Sequence, residues 1–185
     1  GIAKNFLFSA QSSFIDGLLL TRVGWRIKLP NRKTTLGQSF ESLYLPDAVS
    51  LNYPIYSSLW NSNQWNNFSD IFLLHNYIYK RRSEGHVRAN LRSPIGASDY
   101  QYGFVNLESV NENRSQKLNF RTRVFGQLGF GNNWAPESQL MAAGANAESM
   151  TSNPWIRSAG FIPTNARGYN GETGWFQSGG GLNLR

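Results

Sequence analysis

The sequence predicts an all-β fold, an antiparallel transmembrane β-barrel with long extramembrane loops, and three observations point to it. First, the sixteen residues from Gln116 to Gly131 alternate apolar and polar side chains almost without fault. Leu118, Phe120, Val124, Leu128 and Phe130 fall on one side of an extended strand, and Asn119, Arg121, Arg123 and Gln127 on the other. That length exceeds the roughly nine to eleven residues with which a tilted strand crosses a bilayer. Second, the alternation recurs. Leu19, Val23, Trp25, Ile27 and Leu29 oppose Arg22, Gly24, Arg26 and Lys28, while Val87, Ala89 and Leu91 oppose His86, Arg88, Asn90 and Arg92. Third, the basic residues of all three strands share the polar side. In a barrel that side lines a wet lumen, whereas an Arg at mid-depth on the lipid side costs roughly 2–4 kcal/mol.

Taken in order, strands are expected over residues 4–14, 17–29, 70–80, 84–93, 99–110, 116–131 and 173–185, with weaker ones at 36–46 and 50–58. Turn chemistry separates the central ones: Arg82-Ser83-Glu84-Gly85, Ser93 to Ser98, and Glu112-Asn113-Arg114-Ser115. Residues 17–131 form an antiparallel meander on this reading. Leu45 to Ser69 has no sustained period, and 132–171 is a large loop in which only Glu137 to Met150 has a faint helical pattern. Inside a compact domain a structureless connection of about forty residues counts against the element assignment, whereas on a barrel it is a large extramembrane loop. The whole of 1–185 is one domain on this reading.

Aromatic residues gather near the ends of the expected strands. Tyr77, Tyr79, Tyr100, Tyr102, Phe130, Trp134 and Trp175 are candidates for an interfacial girdle at headgroup depth. Arg22, Arg26, Arg88, Arg92, Arg121 and Arg123 are the candidate lumen-lining set.

Composition bounds the alternatives. No apolar run approaches the roughly eighteen residues of a spanning helix, so a helical membrane protein is excluded. A net charge of +7 and a pI near 9.9 raise nucleic acid as a partner. The cations are spaced singly along strands, however, and the one run, Lys80-Arg81-Arg82, suits a solvated strand end, so no nucleic-acid partner is expected. With no Cys there is neither a disulfide nor a thiolate metal site. His75 and His86 lie on different strands without a zinc-binding helix motif, no Gly-x-Ser-x-Gly elbow occurs, and Glu108 and Glu112 bracket an expected turn. The expectation is therefore no catalytic residue, no metal and no cofactor in this chain. Gly1 opens directly on Ile2-Ala3-Lys4-Asn5-Phe6 without a signal peptide, as in a processed chain or a piece of a longer one.

A family resemblance adds to this. Phe176 to Arg185, with Gly179, Gly180 and Gly181 leading to Leu184-Arg185, resembles the Gly-rich approach to the Arg-Gly-Phe/Tyr tripeptide of the outer-membrane assembly and translocation superfamily, the BamA-type and two-partner-secretion transporters also called bacterial surface antigens. A complete Arg-Gly-Tyr also occurs at Arg167-Gly168-Tyr169. Gln139 to Asn146 is similar to the family's small-residue segment before that loop, and Ala89 to Pro94 with the strand Leu118 to Phe130 is similar to its middle strands. The resemblance implies a sixteen-stranded barrel in the bacterial outer membrane, of which this chain supplies the first and middle strands and not the closing ones. It makes 172–185 the start of a loop folded into the lumen, with Arg185 paired to an acid on the wall. It also implies a role in insertion or translocation of proteins, or in anchoring a fused domain such as a zinc aminopeptidase. The implied partners are the lipid bilayer, further strands or a partner chain, and accessory lipoproteins. Two other classes stay open: a soluble β-sandwich binding module using the Trp and Asn residues of 53–68 as a stacking platform, and an enzyme of unrecognised type.

Overall fold

The computed structural model describes residues 5–15, 17–46, 61–80, 83–114, 118–141 and 175–184. Strands β1 (Phe6–Ile15), β2 (Leu18–Lys28), β3 (Thr34–Leu45), β4 (Gln64–Lys80), β5 (Ser83–Pro94), β6 (Gln101–Arg114) and β7 (Asn119–Asn133) are followed by a single 3-10 turn at Pro136–Ser138. Short strands β8 (Leu140–Met141) and β9 (Trp175–Phe176) come next, then β10 (Gly179–Leu184). Seven consecutive strands and β10 form one eight-stranded antiparallel sheet in the order β1-β2-β3-β4-β5-β6-β7-β10, and β8 pairs with β9 separately. The sheet is open, with β1 and β10 at its edges. The described residues include no helix long and apolar enough to cross a membrane.

Several expected boundaries move. The weaker expectation at 36–46 is a full strand, β3, while the one at 50–58 lies outside the described residues. β4 starts at Gln64 instead of residue 70, because Gln64 to Ser69 pair in register with Leu45 to Phe40 although polar residues on both sides hide the alternation. β6 runs on through the expected turn to Arg114, since Glu112, Asn113 and Arg114 each pair across to β7. The faint helix over 137–150 is absent from its described part, where a 3-10 turn gives way to β8.

Direct cross-strand partners share a face of the sheet, so the register assigns every strand residue to a side. One row runs across all eight strands through Phe6, Ile27, Leu36, Leu73, Ala89, Leu107, Gly126 and Gly180, all apolar. The neighbouring row on the same face, Phe8, Trp25, Gln38, Ile71, Leu91, Val105 and Leu128, has one polar member. Many of these side chains are substantially exposed, Leu128 at 69% and Leu107 at 56%.

The two buried apolar clusters lie on the opposite side. Leu18, Leu20, Leu43, Leu45 and Phe68 form one, and Tyr100, Tyr102, Phe104, Trp134 and Ala135 the other. Both sit at the end of the sheet where β2, β4 and β6 begin. The connections at that end include 46–63 and 134–178, whereas at the far end consecutive strands are separated by only 29–33, 81–82 and 115–118. In the first of these, Asn31 Oδ1 accepts the backbone N–H groups of Lys33 and Thr34 at 3.0 and 2.9 Å, an Asx turn that starts β3.

Glycines recur opposite aromatic rings. Gly37 faces Phe72, Gly85 faces Tyr77, Gly103 faces Phe130 and Gly181 faces Phe125 as direct cross-strand partners, with the ring lying where a Cβ would stand. Ring over glycine fills the gap that the missing side chain leaves. Tyr77 extends across Gly85 to donate its hydroxyl to Asn111 Oδ1 on β6.

Candidate functional site

Up to the register shift between Ile78 and Lys80, formal charge on the sheet lies on one face. Arg22, Arg26 and Lys28 on β2, Glu41 on β3 and Asp70 on β4 share it with Glu84, Arg88 and Arg92 on β5, Glu108, Glu112 and Arg114 on β6, and Arg121 and Arg123 on β7. On the opposite face no Asp, Glu, Lys or Arg occurs among the described strand residues up to the register shift between Ile78 and Lys80. Lys80 stands beyond that shift, at the end of β4, where its backbone pairs with Ser83 of the uncharged face. The six arginines expected on a common face are therefore together.

They are not equivalent. Arg22 Nη2 reaches Glu41 Oε2 at 2.6 Å, and Arg123 Nε reaches Glu108 Oε1 at 2.5 Å. Arg88 lies over the Phe72 ring at 5.6 Å. Arg26 and Arg121 are exposed.

Arg92 is the most enclosed, with 3% of its side chain exposed. Its Nε and Nη2 donate to the two oxygens of Asp70 at 2.8 and 2.6 Å, a two-point ion pair across β4 and β5. The guanidinium lies 3.6 Å from the centroid of Phe68 and 4.8 Å from that of Phe104. Nη1 donates to Ser138 Oγ at 3.1 Å. Asn66 Nδ2 donates to the same hydroxyl at 3.3 Å, and Tyr102 donates to Asn66 Oδ1 at 3.1 Å. Tyr102 also packs on Trp134, ring centroids 4.8 Å apart. Ala135 is fully buried.

The result is a latch. Residues 134–138 leave the end of β7 and fold back over the charged face, fastened there by Arg92. Two features permit the turn: Gly131, at φ 96°, beside the irregularity opposite Gln101 and Tyr102, and the Trp134 indole N–H bonding Gly131 O at 3.1 Å.

This overturns part of the expected aromatic girdle. Tyr100, Tyr102 and Trp134 are 4%, 2% and 7% exposed and belong to the cluster under the latch, because even-numbered residues of β6 turn toward the charged side. Tyr77, Tyr79 and Phe130 do lie on the uncharged face, Phe130 half exposed over Gly103. Trp175 is in β9, paired through its backbone with Met141.

The glycines at 179–181, expected both as part of the 173–185 strand and, from the family resemblance, as the start of a lumen loop, lie in a strand. Gly179, Gly180 and Gly181 are wall residues of β10, paired with Gln127, Gly126 and Phe125 of β7. Low side-chain bulk lets this strand lie flush against β7, with Phe125 over Gly181. Arg185 and Arg167-Gly168-Tyr169 lie outside the described residues.

Sequence reasoning did not single out Asp70 or Ser138. No local pattern marks them, since Asp70 meets Arg92 only through the β4–β5 register and Ser138 only through the turn after β7. The described residues include no cluster of three potential metal ligands. Comparison with models of known protein families, with curated proteins and with solved structures finds no match.

Proposed function

We propose that this chain is the membrane-embedded β-barrel portion of a bacterial outer-membrane protein that inserts or translocates other proteins, its uncharged face against lipid and its charged face toward a wet lumen. The observation that carries this reading is the partition of charge. A sheet in water has no reason to keep carboxylate, guanidinium and ammonium groups off a face whose leucines and phenylalanines are exposed, all the way to the shift at the end of β4, whereas hydrocarbon enforces that rule.

Dimensions support it. Phe120 and Phe130 are ten residues apart on the uncharged face of β7, about 33 Å along the strand and roughly 25 Å along the normal at a tilt near 40°, the height of an outer-membrane apolar band. Connection lengths support it as well, since all three at one end of the sheet are short and the two longest, 46–63 and 134–178, are at the other. Neither edge strand, Phe6–Ile15 or Gly179–Leu184, contains a charged residue or a proline to discourage pairing, which suits closure by further strands.

The alternative of a soluble β-sandwich needs a second layer against the apolar face. Among the described residues the second sheet, β8 with β9, instead lies on the latch side, where Leu140 approaches Gly179. The narrower assignment to assembly or translocation rests on the resemblance of Ala89 to Pro94 and Leu118 to Phe130 to that superfamily's middle strands.

Extraction of bacterial envelopes with alkaline carbonate tests the reading. The protein should stay with the membrane pellet, dissolve in detergent, and migrate as a compact, heat-modifiable band. Release into the carbonate supernatant as a monomer soluble without detergent would favour the sandwich.

A further inference from the structure

We propose that the charged face admits anionic solutes in preference to cations, through a fixed excess of positive charge centred on Arg26, Lys28 and Arg88. This rests on the barrel reading, in which that face bounds water. Every carboxylate described on the face is already engaged. Glu41 is held by Arg22, Asp70 by Arg92, and Glu108 by Arg123. Arg114 takes both Glu112 at 2.7 Å and Glu84 at 3.2 Å.

No acid is within ion-pair distance of Arg26, Lys28 or Arg88 among the described residues. Arg26 faces Gly37 across β3 and Leu7 across β1, and Lys28 faces Thr35. Arg88 stands opposite Glu108, but Glu108 is taken by Arg123, and the guanidinium of Arg88 turns to the face of Phe72. The row holding Arg26 continues through Phe72, Asn90, Asn106 and Gln127, so neutral amides, not acids, border the cations.

The consequence follows from charge accounting. One-to-one pairs project little net field, and the second acid on Arg114 is offset by Arg121 opposite Glu112, so the excess left is that of Arg26, Lys28 and Arg88, whose field a low-dielectric wall focuses into the water beside it. An anion entering is stabilised there, and a cation is repelled.

The test uses the closed barrel that contains this chain, inserted into planar phosphatidylcholine bilayers under a tenfold potassium chloride gradient, with the reversal potential as readout. Chloride should be preferred over potassium by about threefold or more. Combining Arg26→Gln with Arg88→Gln should bring the permeability ratio close to one. Glu108→Gln, which releases Arg123 from its partner, should raise the preference. Heat-modifiable migration of each variant shows that it has folded and inserted. Preference for potassium, indifference to these substitutions, or an inserted protein that conducts nothing overturns the proposal and leaves the barrel reading standing. Failure of the closed barrel that contains this chain to insert at all overturns the barrel reading itself.

Discussion

Arg92 and Asp70 meet through two hydrogen bonds, 2.6 and 2.8 Å long, with the guanidinium between the rings of Phe68 and Phe104. They are direct cross-strand partners, so the pair fixes the β4–β5 register at the same point where it fastens the 134–138 segment. Removing one partner leaves a buried charge uncompensated. Arg92→Ala should cost about 3–5 kcal/mol, whereas the double change Arg92→Met with Asp70→Leu should recover most of that loss. Urea unfolding midpoints of the detergent-folded variants measure the difference, and equal losses for the single and double changes would contradict the assignment.

Ser138 is the point where the latch engages. Its hydroxyl is shared by Arg92 and Asn66, so Ser138→Ala removes an acceptor from two buried donors at a cost of about 1–3 kcal/mol. Trp134 should become accessible as the segment loosens. Acrylamide quenching, taken as the difference from a matched Trp134→Phe protein, should increase in Ser138→Ala, and unchanged quenching would show that the segment is held by other means.

Glycines on the sheet divide by what lies over them. Gly103→Ala should destabilise by about 1–3 kcal/mol, because Phe130 and the Arg92 carbonyl occupy the space a Cβ needs. Gly126→Ala should be neutral or stabilising by up to about 1 kcal/mol, since its nearest neighbour would be 3.9 Å away. Unfolding midpoints that shift alike at both positions would refute the ring-over-glycine account.

A charge placed on the uncharged face tests the solvent beyond it. Leu107→Arg, midway along β6 in the eight-strand apolar row, should cost roughly 2–4 kcal/mol in lipid, while Asn106→Arg on the other face should cost little. Folding yield into liposomes, read by heat-modifiable migration, separates the two. Comparable yields would mean that Leu107 does not meet hydrocarbon.

How much of this was legible in the sequence depends on the length of the period. β2, β5 and β7 carry strict alternation, so their faces and the grouping of six arginines could be read directly. The first turn of β4 could not, because Trp65, Asn67 and Ser69 on one face and Asn66, Phe68 and Asp70 on the other leave no apolar contrast. Tyr100, Tyr102 and Trp134 show the limit of position along a strand as a guide. Standing near strand ends suggested a rim, but the parity of β6 and the fold-back after Gly131 turn them inward. For Gly179 to Gly181 the 173–185 strand expectation and the lumen-loop resemblance pointed different ways, and the pairing with β7 makes them part of the wall. Long-range register was the missing information in each case.

The most direct test of the central claim uses the absence of native cysteine. Single cysteines placed in turn from Val105 to Val110 along β6 can be spin-labelled in liposomes, and their collision rates with oxygen and with a water-soluble nickel chelate compared. The account predicts a two-residue period, with labels at 105, 107 and 109 open to lipid-dissolved oxygen and shielded from nickel, and labels at 106, 108 and 110 showing the reverse or no lipid contact. Labels at 105, 107 and 109 that are shielded from both reagents, or freely reached by nickel, would contradict it.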